Sequence, residues 1–284
     1  MRIDLHTHST ASDGTDEPAD LIRNAAAAGL DVVAITDHDT TAGWAGAVDA
    51  LPKGLVLVRG MEMSCVGLCD DGWPVPVHLL AYLFDSTDRC FADERERLRV
   101  ERVQRLRAMA ERMAADGLPI DPEAVLASAG PSAGRPHLAR ALVAAGVVPS
   151  VDAAFTELLA PYGPYHIDKA DTPLRHAVEM VATAGGVSVL AHVRARTRGR
   201  LLALEQIREL AEIGLGGLEI AHPDHSAADR ALLTGMAAEL GLLATGSSDY
   251  HGANKSVRLG ENTTDPVQFE KLVSKATGVP VVGS

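Results

Sequence analysis

Cysteine is scarce: Cys65, Cys69 and Cys90 are the three in a chain of 284 residues. So few, and an odd number, exclude a disulfide framework and fit a reducing compartment. The C-x3-C pair Cys65/Cys69 has no second pair to complete a zinc site, so both read as ordinary core or loop thiols. No apolar run reaches the roughly 18 residues of a membrane span. Strand-like sequence begins at Ile3, which leaves no room for a basic leader and a long apolar segment; no signal peptide is expected, and the cytoplasm is the expected location. Positive charge is also in short supply. With 26 Lys and Arg against 38 Asp and Glu, the net charge is -12. That excludes broad, sequence-independent binding to long nucleic acid such as duplex DNA, which needs many basic contacts to phosphate. It leaves room for a small phosphorylated ligand, because bound metal ions supply local positive charge. Repeats of fixed period and low-complexity segments are missing as well.

What is present is an alternation. The chain is 46% hydrophobic, long enough for one large core plus a small insert. "RIDLH", "DVVAITDH", "GLVLVRGME", "VPVHLLAYLF", "VSVLAH", "GLEIAH" and "LLATGSSDYH" read as seven strands. Helical patterns separate most of them: "EPADLIRNAAAAGL", "TAGWAGAVDAL", "PLRHAVEMVATAGG", "LEQIRELAEIG" and "SAADRALLTGMAAELG", with "PVQFEKLVSKA" last. This order predicts an α/β fold of parallel strands with crossover helices, in a barrel or an open sheet. Between about residues 90 and 165 there is no strand pattern. A long charged helix, "DERERLRVERVQRLRAMAERMAADG", places Leu98, Val103, Leu106, Ala110 and Met113 on one face. Shorter helices broken by Gly and Pro follow. The division expected is 1–89 and 169–284 for one body, with 90–168 as a helical insert.

The polar residues fall at matching places. His6 and His8 follow strand one, Asp37 and His38 end strand two, Glu62 ends strand three and His78 lies in strand four. His192 and His222 end strands five and six; Asp249 and His251 follow strand seven. In a parallel barrel these ends converge on the face that carries the active site. Residues i and i+2 of a strand share a face, so His6 with His8, and Asp249 with His251, can both face the mouth. A lone His at a strand end is more often a hydrogen-bonded residue than a ligand. Nine candidates, His6, His8, Asp13, His38, Glu62, His78, His192, Asp249 and His251, make coincidence a poor account. His, Asp and Glu are the donor set of zinc, manganese and iron, and nine suffice for two or three ions if one carboxylate bridges.

"DLHTHSTASDGT", "AITDHDT", "GMEMS", "LAH" and "GSSDYHG" together resemble the PHP (polymerase and histidinol phosphatase) superfamily of metal-dependent phosphoesterases. "GRPHLARALVAAG" resembles the insert of stand-alone members that act on nucleotide phosphates or trim RNA from its 5' end. The resemblance implies a distorted (β/α)7 TIM-like barrel with a trinuclear centre of divalent Mn, Fe or Zn. By that resemblance His6, His8, Glu62 and Asp249 hold one ion, Asp13, His38 and His251 a second, and His78, His192 and Glu62 a third. Val193 stands where the family commonly has Pro, which implies an altered loop and a retained ligand.

The chemistry implied is attack on phosphorus by a metal-bridging hydroxide, available because the ions lower the pKa of water toward about 7. Arg135 offers a planar fork for phosphate oxygens. By resemblance Arg135 and His137 reach from the insert to the substrate, with Lys169 as a further contact. Pro136 at a first helical position would put "SAGR" at a helix N-terminus, favourable for an anion. His222 is either the proton donor to the leaving group or a support for a ligand; His225 is a weaker substrate candidate. The arginines at 95, 99, 102 and 105 interleave with Glu94, Glu96 and Glu101 and read as a salt-bridged, solvated face. The expected substrate is a small phosphorylated nucleotide, such as AMP or a 3',5'-bisphosphate, or the 5' end of a short oligonucleotide. A histidinol-phosphate phosphatase and a non-catalytic metal-binding module are the alternatives.

Overall fold

The computed structural model describes residues 1–283 apart from 130–132, 161–162, 169 and 197–198. Seven strands follow one another around a sheet: β1 (Ile3–Asp4), β2 (Val32–Ile35), β3 (Val56–Leu68), β4 (Pro74–Tyr82), β6 (Val187–Leu190), β7 (Gly217–Ala221) and β8 (Leu243–Gly246). A two-residue β5 (Thr172–Pro173) pairs with β3 outside this path. A parallel bridge between Thr7 and Tyr250 joins the segments that leave β1 and β8, so the barrel nearly closes. The expected α/β barrel is therefore what the chain forms.

Period-2 patterning explains the two sides of the wall. Val32 and Ala34 of β2 join Ile3, Val58, Leu80, Val189 and Leu243 in an inner cluster. Val33 and Ile35, the alternate residues, pack outward with Leu21, Ile22 and Ala25 of α1 (Pro18–Ala27). Tyr82 crosses the interior, and its hydroxyl donates to the Leu5 carbonyl at 2.8 Å.

Two expectations about the strands need correction. The sheet is not all parallel: β4 runs antiparallel to both β3 and β6. The reason is length. Five residues separate β3 from β4, enough for a hairpin and too few for the crossover a parallel pair requires. Nor does Glu62 end its strand. It is the seventh of the 13 residues of β3, which runs on past the rim as one arm of that hairpin. β1 and β8 are also shorter than the patterns suggested, so His6, His8, Asp249 and His251 lie just beyond ladder structure.

After β4 the chain leaves the barrel. The helices are α3 (Arg89–Ala115), α4 (Pro122–Ser128), α5 (Arg135–Ala144) and α6 (Val151–Glu157). Asp88 caps α3, its side chain accepting from the Phe91 N–H at 2.9 Å. Leu106, Met109 and Met113 of α3 pack with Leu138 and Leu142 of α5 and Ala154 of α6 in a hydrophobic cluster of their own. Leu98 is buried as expected, and Val103 is half-buried. Further helices, α7 (Leu174–Thr183), α8 (Leu204–Glu212), α9 (Ala227–Leu240) and α10 (Pro266–Lys275), cover the rest of the barrel. No helix among the described residues is long and apolar enough to cross a membrane.

Leu138→Ala removes a fully buried side chain from the helical cluster. The expected loss is about 2–5 kcal/mol, read as an earlier midpoint in denaturant. Limited proteolysis should cut first within residues 90–168.

Candidate metal centre

The strand ends deliver their polar side chains to one mouth of the barrel, and the Glu62 carboxylate is the point on which they meet. Oε2 lies 3.2 Å from His6 Nε2, 3.1 Å from His8 Nε2 and 3.1 Å from His38 Nδ1. Oε1 lies 2.7 Å from His78 Nδ1 and 3.0 Å from His192 Nε2. The two oxygens thus divide five imidazoles between them. Asp249 Oδ1 stands 3.5 Å from both His6 Nε2 and His8 Nε2. Asp13 completes the far side, with Oδ1 3.3 Å from His251 Nε2 and Oδ2 3.7 Å from His38 Nε2. All nine candidates come together, and all but His78, which is half-buried, are buried.

This donor set fits divalent cations. His6 Nε2 and His8 Nε2 are 3.0 Å apart, with the same Glu62 oxygen beside both. Two imidazole lone pairs and a carboxylate converge in a dry site only with a proton or a cation among them. Three overlapping groups have donor atoms within 4.8 Å of one another: His8, Asp13, His38 and His251; His6, His8 and Asp249; and His38, Glu62 and His78.

Charge balance in the cluster follows from burial and from its opposite. Burial pulls His6 down, yet Glu62, Asp249 and Glu219 outweigh it and hold the ring well above its ordinary value. Burial pulls His38 well below its ordinary value and wins over the opposing pull of Glu62 and Asp13. Burial would raise Glu62, but His78, His38 and His6 hold its carboxyl well below the usual range. For Asp13, His251 and His38 likewise overcome burial.

The loop carrying Asp13 is folded by local bonds. Asp37 accepts from the Ser9 N–H at 2.8 Å, the Ser9 hydroxyl at 2.7 Å and the Ser12 hydroxyl at 2.6 Å. Gly14 passes so close to the His8 carbonyl that a Cβ would stand 2.4 Å from its oxygen. Of the four non-glycine residues at positive φ among those described, three sit here: Asp39 (51°), His192 (30°) and Asp249 (56°). Backbone strain of this kind persists where surrounding bonds over-determine it.

The remaining candidates have other surroundings. His222 Nδ1 accepts from the Asp224 N–H at 3.0 Å, which leaves Nε2 to donate to Asp249 Oδ2 at 3.3 Å. Of the two roles expected for it, the bonds favour support of Asp249. His225 is engaged by backbone at both nitrogens, donating to the Ile220 carbonyl at 3.0 Å and accepting from the Arg194 N–H at 3.1 Å; neither is left for substrate. Arg135 and Pro136 are the first two residues of α5, behind Gly134 as N-cap, so Pro136 is second rather than first. The Arg135 guanidinium lies over Phe155, 5.5 Å from the ring centroid, and donates to the Leu159 carbonyl at 3.1 Å. Burial and the neighbouring Arg105 and Arg102 lower its pKa to about 10. His137 is buried, and its Nδ1 accepts from the Gly134 N–H at 3.3 Å. Burial and Arg140 lower its pKa, against a weaker pull from Asp13. Lys169 and Ser132 lie outside the described residues.

Four participants were not expected. Lys255 Nζ stands 2.5 Å from Asp249 Oδ2. Glu219, wholly buried in β7, faces His6. Asp39 and Arg102 form an ion pair between the barrel and α3, with Arg102 Nη2 donating to Ser64 Oγ at 2.7 Å and Ser64 Oγ donating to Asp39 at 2.7 Å. This corrects the reading of the arginine run as a solvated face. Glu94–Arg97 and Glu96–Arg99 do pair along the helix at 2.6 and 2.7 Å. Arg102 points inward instead, and Arg105 donates to the Ile167 carbonyl at 2.6 Å.

A nearly closed α/β barrel with these donors at its mouth defines the class, and the chain belongs to the PHP domain family. The family's profile matches residues 4–119. Along 275 residues the chain is 31% identical to a 3',5'-nucleoside bisphosphate phosphatase of Chromobacterium violaceum, covering 93% of this chain and 92% of that protein. It is 34% identical to a phosphoribosyl 1,2-cyclic phosphate 1,2-diphosphodiesterase of Eggerthella lenta, covering 89% and 95%. The crystal structure of a protein from Bifidobacterium adolescentis, described as a metal-dependent phosphoesterase, superposes with a TM-score of 0.89 at 36% identity, over 97% of this chain and 96% of the other.

Glu62→Gln is expected to remain folded by circular dichroism while losing at least one equivalent of bound manganese per chain, measured by elemental analysis after gel filtration.

Proposed function

We propose that this chain is a metal-dependent phosphoesterase that hydrolyses phosphate monoesters of nucleotides, such as AMP or a 3',5'-bisphosphate, or the 5' end of a short oligonucleotide. The observation that carries the reading is the Glu62-centred set of donors, with Arg102 of α3 paired to Asp39 beside it. Two or three Mn, Fe or Zn ions are assigned to it. His6, His8 and Asp249 hold one, Asp13, His38 and His251 another, and His78 and His192 a third, with Glu62 between them. When bound, such ions lower the pKa of water toward about 7 and neutralise phosphoryl oxygens.

The chain's own groups do the rest. His222 and Lys255 fix Asp249 from one side, and the Ser9/Ser12/Asp37 bonds hold the Asp13 loop. Residues 90–168 act as a substrate cap over the barrel parts 1–89 and 169–284. Arg135 and His137 bind the substrate phosphate from that cap, and Lys169 is assigned with them. Arg102, tied to Asp39, holds α3 against the strand end that carries His38. A non-catalytic module would have no need of so complete a donor set. A cytoplasmic setting accords with the sparse cysteines.

Purified protein with manganese should release phosphate from 5'-nucleotides, 3',5'-bisphosphates or short 5'-phosphorylated RNA, and EDTA should abolish the release. Absence of turnover on the whole panel by fully metal-loaded enzyme would sink the reading. Arg135→Ala should raise KM about tenfold or more, the scale of one charge-assisted hydrogen bond, with a smaller change in kcat. Metal retention should fall as pH drops, because the imidazoles bind cations only as neutral rings, and His6, held above the ordinary value, should be protonated before His38, held below it.

A further inference from the structure

Glu219 carries no role in the chemistry above, yet it is wholly buried against this site. Its relative exposure is 0%, in the middle of β7. Oε1 is 3.1 Å from His6 Nδ1 and also accepts from the Ser247 hydroxyl. Oε2 accepts from the backbone N–H of His192 at 2.7 Å. A carboxylate only accepts, and donors from β1, the β6 end and the β8 end load both of its oxygens.

We propose that Glu219 is a positioning residue that fixes two histidines of the centre at once, the tautomer of His6 and the backbone of His192. The inference rests on the metal reading above. On His6, a proton held on Nδ1 by Glu219 leaves the lone pair on Nε2. That nitrogen faces His8, Glu62 and Asp249. Carboxylates that hold the far nitrogen of a ligating imidazole set its orientation and raise its basicity, and their loss costs about 10–100-fold in metal affinity. On His192, φ is 30°, a region costly for a residue with a side chain. The 2.7 Å bond from its N–H anchors that turn while the ring reaches Glu62 Oε1 at 3.0 Å. Glu219 therefore ties β1 and the β6 end to one rigid group.

Glutamine at this position preserves shape and breaks the logic. One of its two terminal atoms becomes an NH2 donor. Placed toward His192, it opposes the backbone N–H; placed toward His6, it forces the imidazole proton onto Nε2, into the cluster. Either way one of the two histidines loses its acceptor.

The test compares wild type with Glu219→Gln, and with the exposed Glu179→Gln as control, in manganese affinity by competition against a fluorescent chelator. Circular dichroism checks the fold. A folded Glu219→Gln protein whose tightest manganese binding is weakened about tenfold or more, beside an unchanged control, supports the inference. Equal affinity and stoichiometry in Glu219→Gln and wild type overturn it. If Glu219→Gln does not fold, nitrogen-15 NMR of the zinc-loaded wild type decides, with the His6 ring assigned by its loss in His6→Gln. A proton on Nδ1 of His6 supports the inference, and a proton on Nε2 overturns it. A wild-type chain that takes up no metal overturns the metal reading and this inference together, whereas normal loading of both proteins removes the inference alone.

Discussion

Everything at the barrel mouth depends on one buried carboxylate surrounded by imidazoles. Glu62 would be a costly residue to enclose without partners, since an isolated ionised carboxylate in a dry site neutralises instead. Five histidines, four beyond the ends of β1, β2 and β6 and one within β4, give it partners, and they are brought there by the barrel. The constraint runs in both directions. Strands must bring these residues together for the donors to meet, and the donors repel or starve one another unless protons or cations share the space. The fold thus makes an arrangement that is incomplete as protein alone.

The bonds around that cluster form a second tier, and several of them reach residues whose backbone is out of the ordinary. His192, Asp249 and Asp39 adopt positive φ without being glycine. Each is tied by side chains of other residues: His192 by Glu219, Asp249 by His222 and Lys255, and Asp39 by Ser64 and Arg102.

The nine donors were legible in the sequence because most of them follow or end an apolar run, where a barrel exposes them, and because short motifs around all but His78 match a known family. Strand direction was less so. The 13-residue β3 and its hairpin to β4 left a signal in the five-residue gap, but a hydrophobic run carries no arrow. Glu219 was missed because one acid inside "GLEIAH" has the same appearance whether it faces water or a histidine. Arg102 was missed for the opposite reason: surrounded by other charges, it resembled them. Only the packing of α3 against Asp39 separates it from Arg99. His225 drew attention as a histidine near others, and its two backbone bonds are invisible without coordinates.

The helical segment from α3 to α6 has its own hydrophobic cluster, apart from the two that line and surround the barrel. Its stability is therefore largely its own affair. Such a division lets selection retune the two halves at different speeds. The side chains of α5 pack within that cluster and can be replaced without repacking the wall that holds the donors, so long as Arg102 keeps its seat on Asp39. A lineage of such proteins would keep one wall and vary the helices packed beside it.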